Sequence, residues 1–415
     1  MNTILQAIFY LSSSLLLMIY LFPAILLLVF SRFKKVNNFS INTNAETMPK
    51  VSLLISAFNE EKVIRKKIEN SLSLLYPSEL LEIVVISDGS TDKTAEIAAG
   101  YEKRIKLIHF DKRKGKNSCI NEALEHAVGE IVVFSDANSM YNPEAIRKMA
   151  EHFSNPRVGC VVGKEIRKDY SEQESVKTSD DVYWSMENRI KEILSLRGLV
   201  VVANGSIFAI RKKLFCALYN DVANDFQLPL EIGAAGYQVL FEPKAKAFED
   251  PITNYKEEFF RKIRIVTRGL FGTKYMFHKL KGIRLAFFLM FKFSRWFTLH
   301  LLILNFLTSI IFMGSGLLYT VALLSHLFLY SAAVSGVVYK KITHRKLPKF
   351  IDIVVYFFMV STAAFIAGIN FLANKPISIW DCAKTNRNGL SNVHPRGETT
   401  LTSQTQIKEV ASEVK

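Results

Sequence analysis

The sequence predicts an α/β domain set among membrane-crossing helices. Strand-like and helix-like segments alternate from Val51 to Phe153, and long uncharged runs flank this region on both sides. Short β-branched runs alternating with amphipathic ones imply a mostly parallel sheet with helices on both faces, whose ligands bind at the carboxyl ends of the strands. Uncharged runs longer than roughly 20 residues are long enough to cross the hydrocarbon core as helices. The hydrophobic fraction of 49% and the mean hydropathy of +0.17 are concentrated in those runs.

The membrane elements follow from where charge is absent. No charged side chain occurs from Met1 to Ser31, and the basic residues Arg32, Lys34 and Lys35 come after the run. A secretory signal opens on its basic region, so this order reads as a retained anchor. No Lys, Arg, Asp or Glu lies between Arg295 and Lys340, and Gly314-Ser315-Gly316 divides that stretch into two spans. Ile353 to Asn374 supplies another. Ile283 to Phe297 is apolar but carries Arg284, Lys292 and Arg295 beside Trp296, which reads as an interfacial helix, with a buried core helix as the alternative.

Basic clusters at Arg32–Lys35, Lys340–Lys341 and His344–Lys346 put those loops, and the region between Lys50 and Lys281, on the cytosolic side, with both termini outside. The expected organisation is an N-terminal transmembrane helix (1–31), a linker (32–49), a cytosolic domain (50–281), an interfacial helix (282–296), three transmembrane helices (297–376) and a polar tail (377–415) of a multi-pass protein of the cell membrane. The tail beyond Ser391, rich in Thr, Ser and Glu, reads as disordered. A net charge of +15 is accounted for by anionic lipid headgroups and diphosphate ligands, with no nucleic acid required. Cys119, Cys160, Cys216 and Cys382 show no CxxC pair and no metal spacing, so they read as free thiols.

Within the domain, Val51–Ser56, Glu82–Ser87, Ile105–His109 and Glu130–Ser135 read as strands. Glu60–Leu74, Thr91–Tyr101, Lys116–Val128 and Pro143–Phe153 read as helices, with Thr91 or Asn142 as caps. The first strand ends in Ser56-Ala57-Phe58-Asn59-Glu60-Glu61 with no GxGxxG after it, which argues against a dinucleotide-binding oxidoreductase. The second ends in Ser87-Asp88-Gly89-Ser90-Thr91-Asp92, where Asp88 can accept hydrogen bonds from a uracil or ribose edge; an ordinary turn with a helix cap is the alternative. The fourth ends in Asp136-Ala137-Asn138. A carboxylate and an amide two residues apart can direct oxygens at one divalent cation, and Mg²⁺ or Mn²⁺ suits a diphosphate leaving group. The basic loop Lys112-Arg113-Lys114-Gly115-Lys116 either meets phosphate oxygens at a helix N-terminus or is simply solvated.

Taken together, these strand ends closely resemble the inverting family 2 glycosyltransferases, in the membrane-bound branch of cellulose, chitin, hyaluronan and poly-N-acetylglucosamine synthases. The resemblance runs from about Val51 to Arg268 and includes Gly115-Lys116, Tyr183-Trp184, Ala203-Asn204-Gly205, Asn224-Asp225-Phe226 and Glu249-Asp250. It implies a GT-A (Rossmann-like nucleotide-sugar-binding) fold. It further implies that Phe58, Asn59, Glu60 and Asp88 hold the nucleoside, that Asp136 binds metal and diphosphate, and that Asp225 is the general base of a single in-line displacement. A glycosidase would need both carboxylates as acid and nucleophile, leaving the nucleotide-type elements unexplained.

Two departures matter. Asn138 stands where the commonest family form has a second Asp. Arg261, Arg264 and Ile265 stand where processive synthases carry Gln-x-x-Arg-Trp, so the indole face that stacks on an acceptor sugar is missing. Arg264 either contacts diphosphate or faces lipid. Trp184 either stacks on the acceptor or packs in the core, and Gly205 marks a close-approach loop near the acceptor or a plain turn.

The leading reading is transfer of a hexose or N-acetylhexosamine from a UDP-sugar to an extracellular or capsular polysaccharide. The alternatives are single addition to a lipid-linked acceptor and a catalytically silent nucleotide-sugar-binding regulator. The four spans hold no acidic residue for ion coupling, which discourages a transporter.

Overall fold

The computed structural model describes residues 2–31, 48–167, 179–250, 255–343, 345 and 347–377. The expected linker up to Thr47 with its basic cluster Arg32–Lys35, His344, Lys346, Cys382 and the tail from Ser378 onward lie outside the described residues.

Among the described residues, eight strands form one sheet: β1 (Val51–Ala57), β2 (Leu81–Asp88), β3 (Lys106–Phe110), β4 (Ile131–Asp136), β5 (Met140–Tyr141), β6 (Val158–Arg167), β7 (Phe208–Arg211) and β8 (Gln238–Glu249), in the order β3-β2-β1-β4-β7-β6-β8-β5. β1, β2, β3 and β4 are parallel, with Ser56 beside Asp136 and Ala57 beside Ser87, so their carboxyl ends share one edge. β1 and β2 are buried along nearly their whole length, as continuous apolar runs covered on both faces must be.

The expected parallel pairing extends to β6 and β8, which also run parallel, but the sheet as a whole is mixed. β7 runs antiparallel to β4 and to β6, and β5 runs antiparallel to β8. A single helical crossover forces parallel direction, and the chain after Phe153 connects its strands through longer, irregular routes that do not impose it.

Helices α2 (Ile64–Leu72), α3 (Thr94–Ala99) and α5 (Ala145–Glu151) cover one face, through a core holding Ile64, Ile68, Ala98, Ile146 and Met149. α4 (Lys116–Glu125), α6 (Ser179–Ser195), α7 (Asn224–Ala234) and α8 (Tyr255–Met276) cover the other. The caps differ from expectation. Asp92 Oδ1 accepts from Thr94 N at 2.9 Å at the start of α3, whereas Thr91 binds Asn59 instead. Asn142 Oδ1 accepts from Lys246 N at 2.7 Å, an edge contact to β8.

Among the described residues, four helices are long and apolar enough to cross a membrane: α1 (Asn2–Ser31) over Asn2–Pro23, the run Gly282–Ile311, α11 (Leu317–Thr343) and α12 (Lys349–Leu372). These fit a membrane protein. The run Gly282–Ile311 joins the segment expected as an interfacial helix, ending at Trp296, to the span expected from Phe297. α9 (Gly282–Phe288) continues through a π-helical turn at Leu289–Phe293 and a 3₁₀ turn at Ser294–Phe297 into α10 (Thr298–Ile311) without a break. Arg284 and Arg295 are accommodated by protein contacts, Arg284 to the Tyr237 carbonyl at 2.8 Å and Arg295 to Glu187, so their charges do not end the helix.

Between helices, Asn305 of α10 donates to Ser13 Oγ at 2.7 Å and Ser12 Oγ at 3.1 Å of α1, and its Oδ1 lies 2.9 Å from His326 Nε2 of α11. Such hydrogen bonds hold helices together where the surroundings give no hydrophobic drive. The core on the α7–α8 face does not stop at the domain: Ala363, Ala364 and Ala367 of α12 belong to the same buried cluster as Phe226 and Trp296.

Gly89, after β2, has φ of +63°, and a Cβ there would lie 2.4 Å from Arg113 N. Both the left-handed backbone and the seated 112–115 loop therefore exclude a side chain. Gly89→Ala is expected to cost about 2 kcal/mol or more, read as a lowered Tm of the detergent-solubilised protein together with weaker nucleotide binding; unchanged values in both would contradict this packing.

Candidate active site

The carboxyl ends of β1, β2 and β4 open on a cleft of about 370 Å³ that the 203–206 loop, α7 and α8 close from the other side. Phe58, Glu60, Asp88, Lys116, Asp136, Asn138, Trp184, Gly205, Asp225 and Arg264 line it. These are the sequence-predicted site residues with one exception. Asn59 is not in the lining: it has φ of 53°, its Oδ1 accepts from Thr91 N at 2.8 Å, and its own N–H donates to Ser90 Oγ at 3.2 Å. It ties the loop after β1 to the loop after β2.

Asp88 organises the basic loop. Its carboxylate accepts from Lys114 N at 2.6 Å, from Gly115 N at 3.0 Å and from the Cys119 thiol at 3.1 Å. The loop so held lays the Arg113 guanidinium 3.7 Å from the centroid of the Phe58 ring. A flat cationic face over an aromatic one forms one wall of a slot at the end of β1.

Lys116, the first residue of α4, reaches across the cleft to Asp136 Oδ1 at 2.5 Å. Asp136 is partly exposed to the cleft, its side chain retaining 37% of its accessibility. Among the described residues no group of three or more His, Cys, Asp or Glu gathers to hold an ion unaided. Asp136 and Asn138 nevertheless fit a divalent cation of the Mg²⁺ or Mn²⁺ kind: both are hard oxygen donors lining the cleft, and Asp136 already bears a cationic partner. Such an ion takes one or two carboxylates and completes its shell with substrate phosphate and water.

Asp225 lies in the first turn of α7, where the helix N-terminus favours a carboxylate. Its backbone carbonyl accepts from Ala203 N at 2.8 Å, which fastens α7 to the 203–206 loop. That loop is fixed by Asn204, whose amide donates to the Gly163 carbonyl at 2.7 Å and accepts from Lys191. Gly205 then occupies the notch between two acids: a Cβ on it would stand 3.3 Å from Asp225 Oδ2 and 3.8 Å from Asp136 Oδ2. Burial raises the Asp225 pKa, and the charge of Asp136 adds to this, while Lys116, Lys292 and Arg268 oppose it. A carboxylate so placed binds a proton more readily than an exposed aspartate.

Under the cleft floor, Glu249 accepts from Ser139 Oγ, and buried Lys67 donates to the Ser139 carbonyl, so the turn carrying Asp136 and Asn138 is gripped from two sides. Burial, with Glu165 and Asp136 nearby, pushes Glu249 up to about 7. On the α8 side, Glu258 pairs with Arg261 at 3.2 Å and Lys262 at 3.2 Å, and Arg167 pairs with Glu165 at 3.0 Å. The Arg167 guanidinium lies 4.9 Å from the Trp184 ring centroid, so that indole packs on an arginine. Ile265 lines the cleft as an aliphatic wall.

Sequence reasoning missed Glu165, Arg167, Glu187, Lys191, Arg268, Lys292 and Trp296, all of which line the cleft. Arg268 donates to the Val222 carbonyl at 2.5 Å, just before α7. Its spacing of one helical turn from Arg264 was the one signal available; the others arrive through tertiary packing alone.

Residues 52–218 match the family model described as glycosyl transferase family 2. This part of the chain is a family 2 glycosyltransferase domain. The chain is 28% identical over 282 residues to the probable glycosyltransferase YdaM of Bacillus subtilis, covering 61% of this chain and 64% of that protein. It is 31% identical over 204 residues to a poly-beta-1,6-N-acetyl-D-glucosamine synthase of Staphylococcus epidermidis, covering 47% of this chain and 48% of the synthase. The matched stretch thus spans between about half and two thirds of these relatives. Among solved structures, the mannosyltransferase PcManGT from Pyrobaculum calidifontis, in complex with GDP-Man and Mn2+, superposes with a TM-score of 0.66 at 20% identity, covering 89% of this chain and 99% of that one. This likeness shows the fold, which for the glycosyltransferase domain is the GT-A-like mixed sheet.

Gly205→Ala presses a methyl against Asp225 Oδ2 and Gly205→Val more so. A displacement of the order of 1 Å at a reacting group costs about a hundredfold, so the valine variant is expected to lose roughly that much kcat and the alanine variant less, with nucleotide affinity kept. Equal activity in all three proteins would separate Gly205 from the reacting centre.

Proposed function

We propose that this protein is an inverting glycosyltransferase that moves a hexose or N-acetylhexosamine from a UDP-sugar to a saccharide acceptor, feeding an extracellular or capsular polysaccharide from the cytosolic face of the cell membrane. The observation that carries this reading is the pair of carboxylates, Asp136 and Asp225, facing one notch at Gly205 in a cleft that Lys116, Arg264, Arg268 and Lys292 also line. The similarity to poly-N-acetylglucosamine synthases supports the donor class, and the basic clusters beside the spans support the orientation.

The residues divide the work. Phe58, Glu60 and Asp88 with its loop hold the nucleoside, Asn59 positions that loop, and Lys116 and Arg264 bind the diphosphate. Asp136 and Asn138 would hold the divalent cation, which when bound neutralises charge on the departing diphosphate. Asp225 accepts the proton of the acceptor hydroxyl as that oxygen attacks the anomeric carbon from the face opposite the leaving group. One displacement inverts the configuration, and no second carboxylate is required as nucleophile. Trp184 and Gly205, which line the cleft, are the residues that meet the acceptor in this reading.

A second reading within the same chemistry, single addition to a lipid-linked acceptor, is favoured by one observation: Ile265 offers the cleft an aliphatic wall where a sugar-stacking ring would serve a growing chain.

Membranes containing the protein, supplied in turn with radiolabelled UDP-sugars, are expected to incorporate label from one of them in a metal-dependent manner. A ladder or long polymer marks repeated addition and a single product marks one addition; no incorporation and no donor hydrolysis would favour the silent regulator. Because Asp225 must be ionised to accept a proton and its pKa is raised, kcat/KM is expected to rise with pH through an inflection above the value of about 3.9 usual for aspartate. A rate flat across that acid range would count against Asp225 as base.

A further inference from the structure

Beside the cleft lies a second cavity, of about 540 Å³, walled by Leu270 of α8, by Phe293, Trp296 and His300, and by Phe365 and Gly368 of α12. Its surface is almost wholly apolar. Two of its walls belong to the candidate membrane spans Gly282–Ile311 and Lys349–Leu372, so it lies where hydrocarbon chains are the abundant neighbours.

The cavity adjoins the cleft across one shared side chain. Trp296 lines both spaces, and its ring centroid is 6.3 Å from that of Phe226, the residue after Asp225. Lys292, one helical turn before Trp296, lines the cleft, as do Arg264 and Arg268 on α8, so cations stand on the cleft side of the shared wall. The sequence of environments is apolar chamber, aromatic wall, cationic patch, then a carboxylate poised to accept a proton. Only an amphiphile with a hydrocarbon chain, an anionic link and a sugar hydroxyl matches all of these in that order.

We infer that the chamber holds the first segment of the hydrocarbon chain of a lipid-diphosphate-linked saccharide, with its diphosphate beside Lys292 and its sugar hydroxyl at Asp225. This rests on the glycosyltransferase reading of the cleft. In the complex, the hydroxyl oxygen bonds to the donor's anomeric carbon, the bond to the nucleoside diphosphate breaks with its electron pair, and the hydroxyl proton passes to Asp225. A chain already dissolved in lipid gains little hydrophobic energy on entering an apolar cavity. The chamber acts instead by fixing the depth and direction of the headgroup, so its effect falls on acceptor use and not on the donor.

Gly368 offers a clean probe, because nothing lies within 4 Å of where its Cβ would stand. Gly368→Phe fills the chamber, and Gly368→Ala barely intrudes. With the labelled UDP-sugar that the protein uses, transfer is measured to N-acetylglucosamine carried on a long polyprenyl diphosphate and to the same headgroup on a short soluble alkyl chain, alongside donor hydrolysis without acceptor. The wild type is expected to favour the long chain by roughly tenfold or more in kcat/KM, Gly368→Phe to lose that preference through KM, and Gly368→Ala to behave as wild type, with donor hydrolysis alike in all three. Equal use of long and short chains by the wild type, or an undiminished preference in Gly368→Phe, would overturn the inference and leave the chamber to bulk phospholipid, with the glycosyltransferase reading standing. Absence of both transfer and hydrolysis in the wild type would remove that reading itself, and the inference with it. If Gly368→Phe fails to fold, a long-chain acceptor analogue bearing a photoreactive group near its diphosphate decides the matter on the wild type. Labelling of peptides containing residues 292–300, 270–277 or 365–372 supports the chamber, and labelling confined to other segments overturns it.

Discussion

Two carboxylates held around one glycine, at the junction of a sheet and a set of apolar helices, are the constraint to which the rest of the structure answers. Asp136 and Asp225 would repel each other across the Gly205 notch, and burial makes that charge costly. Lys116, Arg268 and Lys292 surround the pair with opposite charge, and each comes from a different element: the start of α4, the middle of α8 and the π-helical turn after α9. Compensation from three directions offsets part of the cost of burying that charge.

That arrangement also explains why the domain is not packed apart from its helices. α7 carries Asp225, and its apolar side, through Phe226 and Leu230, enters a core shared with Trp296 and with the small residues Ala363, Ala364 and Ala367 of α12. Small side chains let α12 approach α8 closely. The Asp225 carboxylate is thereby held at a fixed distance from the apolar helices.

The parallel half of the fold was legible in the sequence because its information is local. Val51–Ala57, Leu81–Asp88 and Ile131–Asp136 are β-branched runs ended by turn-forming polar residues, and parallel register alone brings those ends to one edge. The antiparallel placement of β7 was not legible, because β7 is four residues long and no local pattern sets its direction against β4. The same division runs through the site. Asp88, Lys116, Asp136 and Asp225 sit in recognisable strand-end or helix-start positions, whereas Glu165, Lys191 and Trp296 reach the cleft only through long-range packing. Asn59 is the instructive intermediate: its place beside the site could be read, but a left-handed backbone and a bond to Thr91 turn it into a brace between loops. The continuation of Gly282–Ile311 past its charges was hidden for a related reason, since the partners of Arg284 and Arg295 lie in the domain and not in the neighbouring sequence.

The central claim is that Asp225 removes the acceptor proton. Its most direct measurement is the rate of sugar transfer by Asp225→Asn beside wild type, with UDP-sugar affinity determined on the same preparations. The account predicts transfer lowered by about a hundredfold or more, with donor affinity little changed. Comparable transfer rates in the two proteins would contradict it.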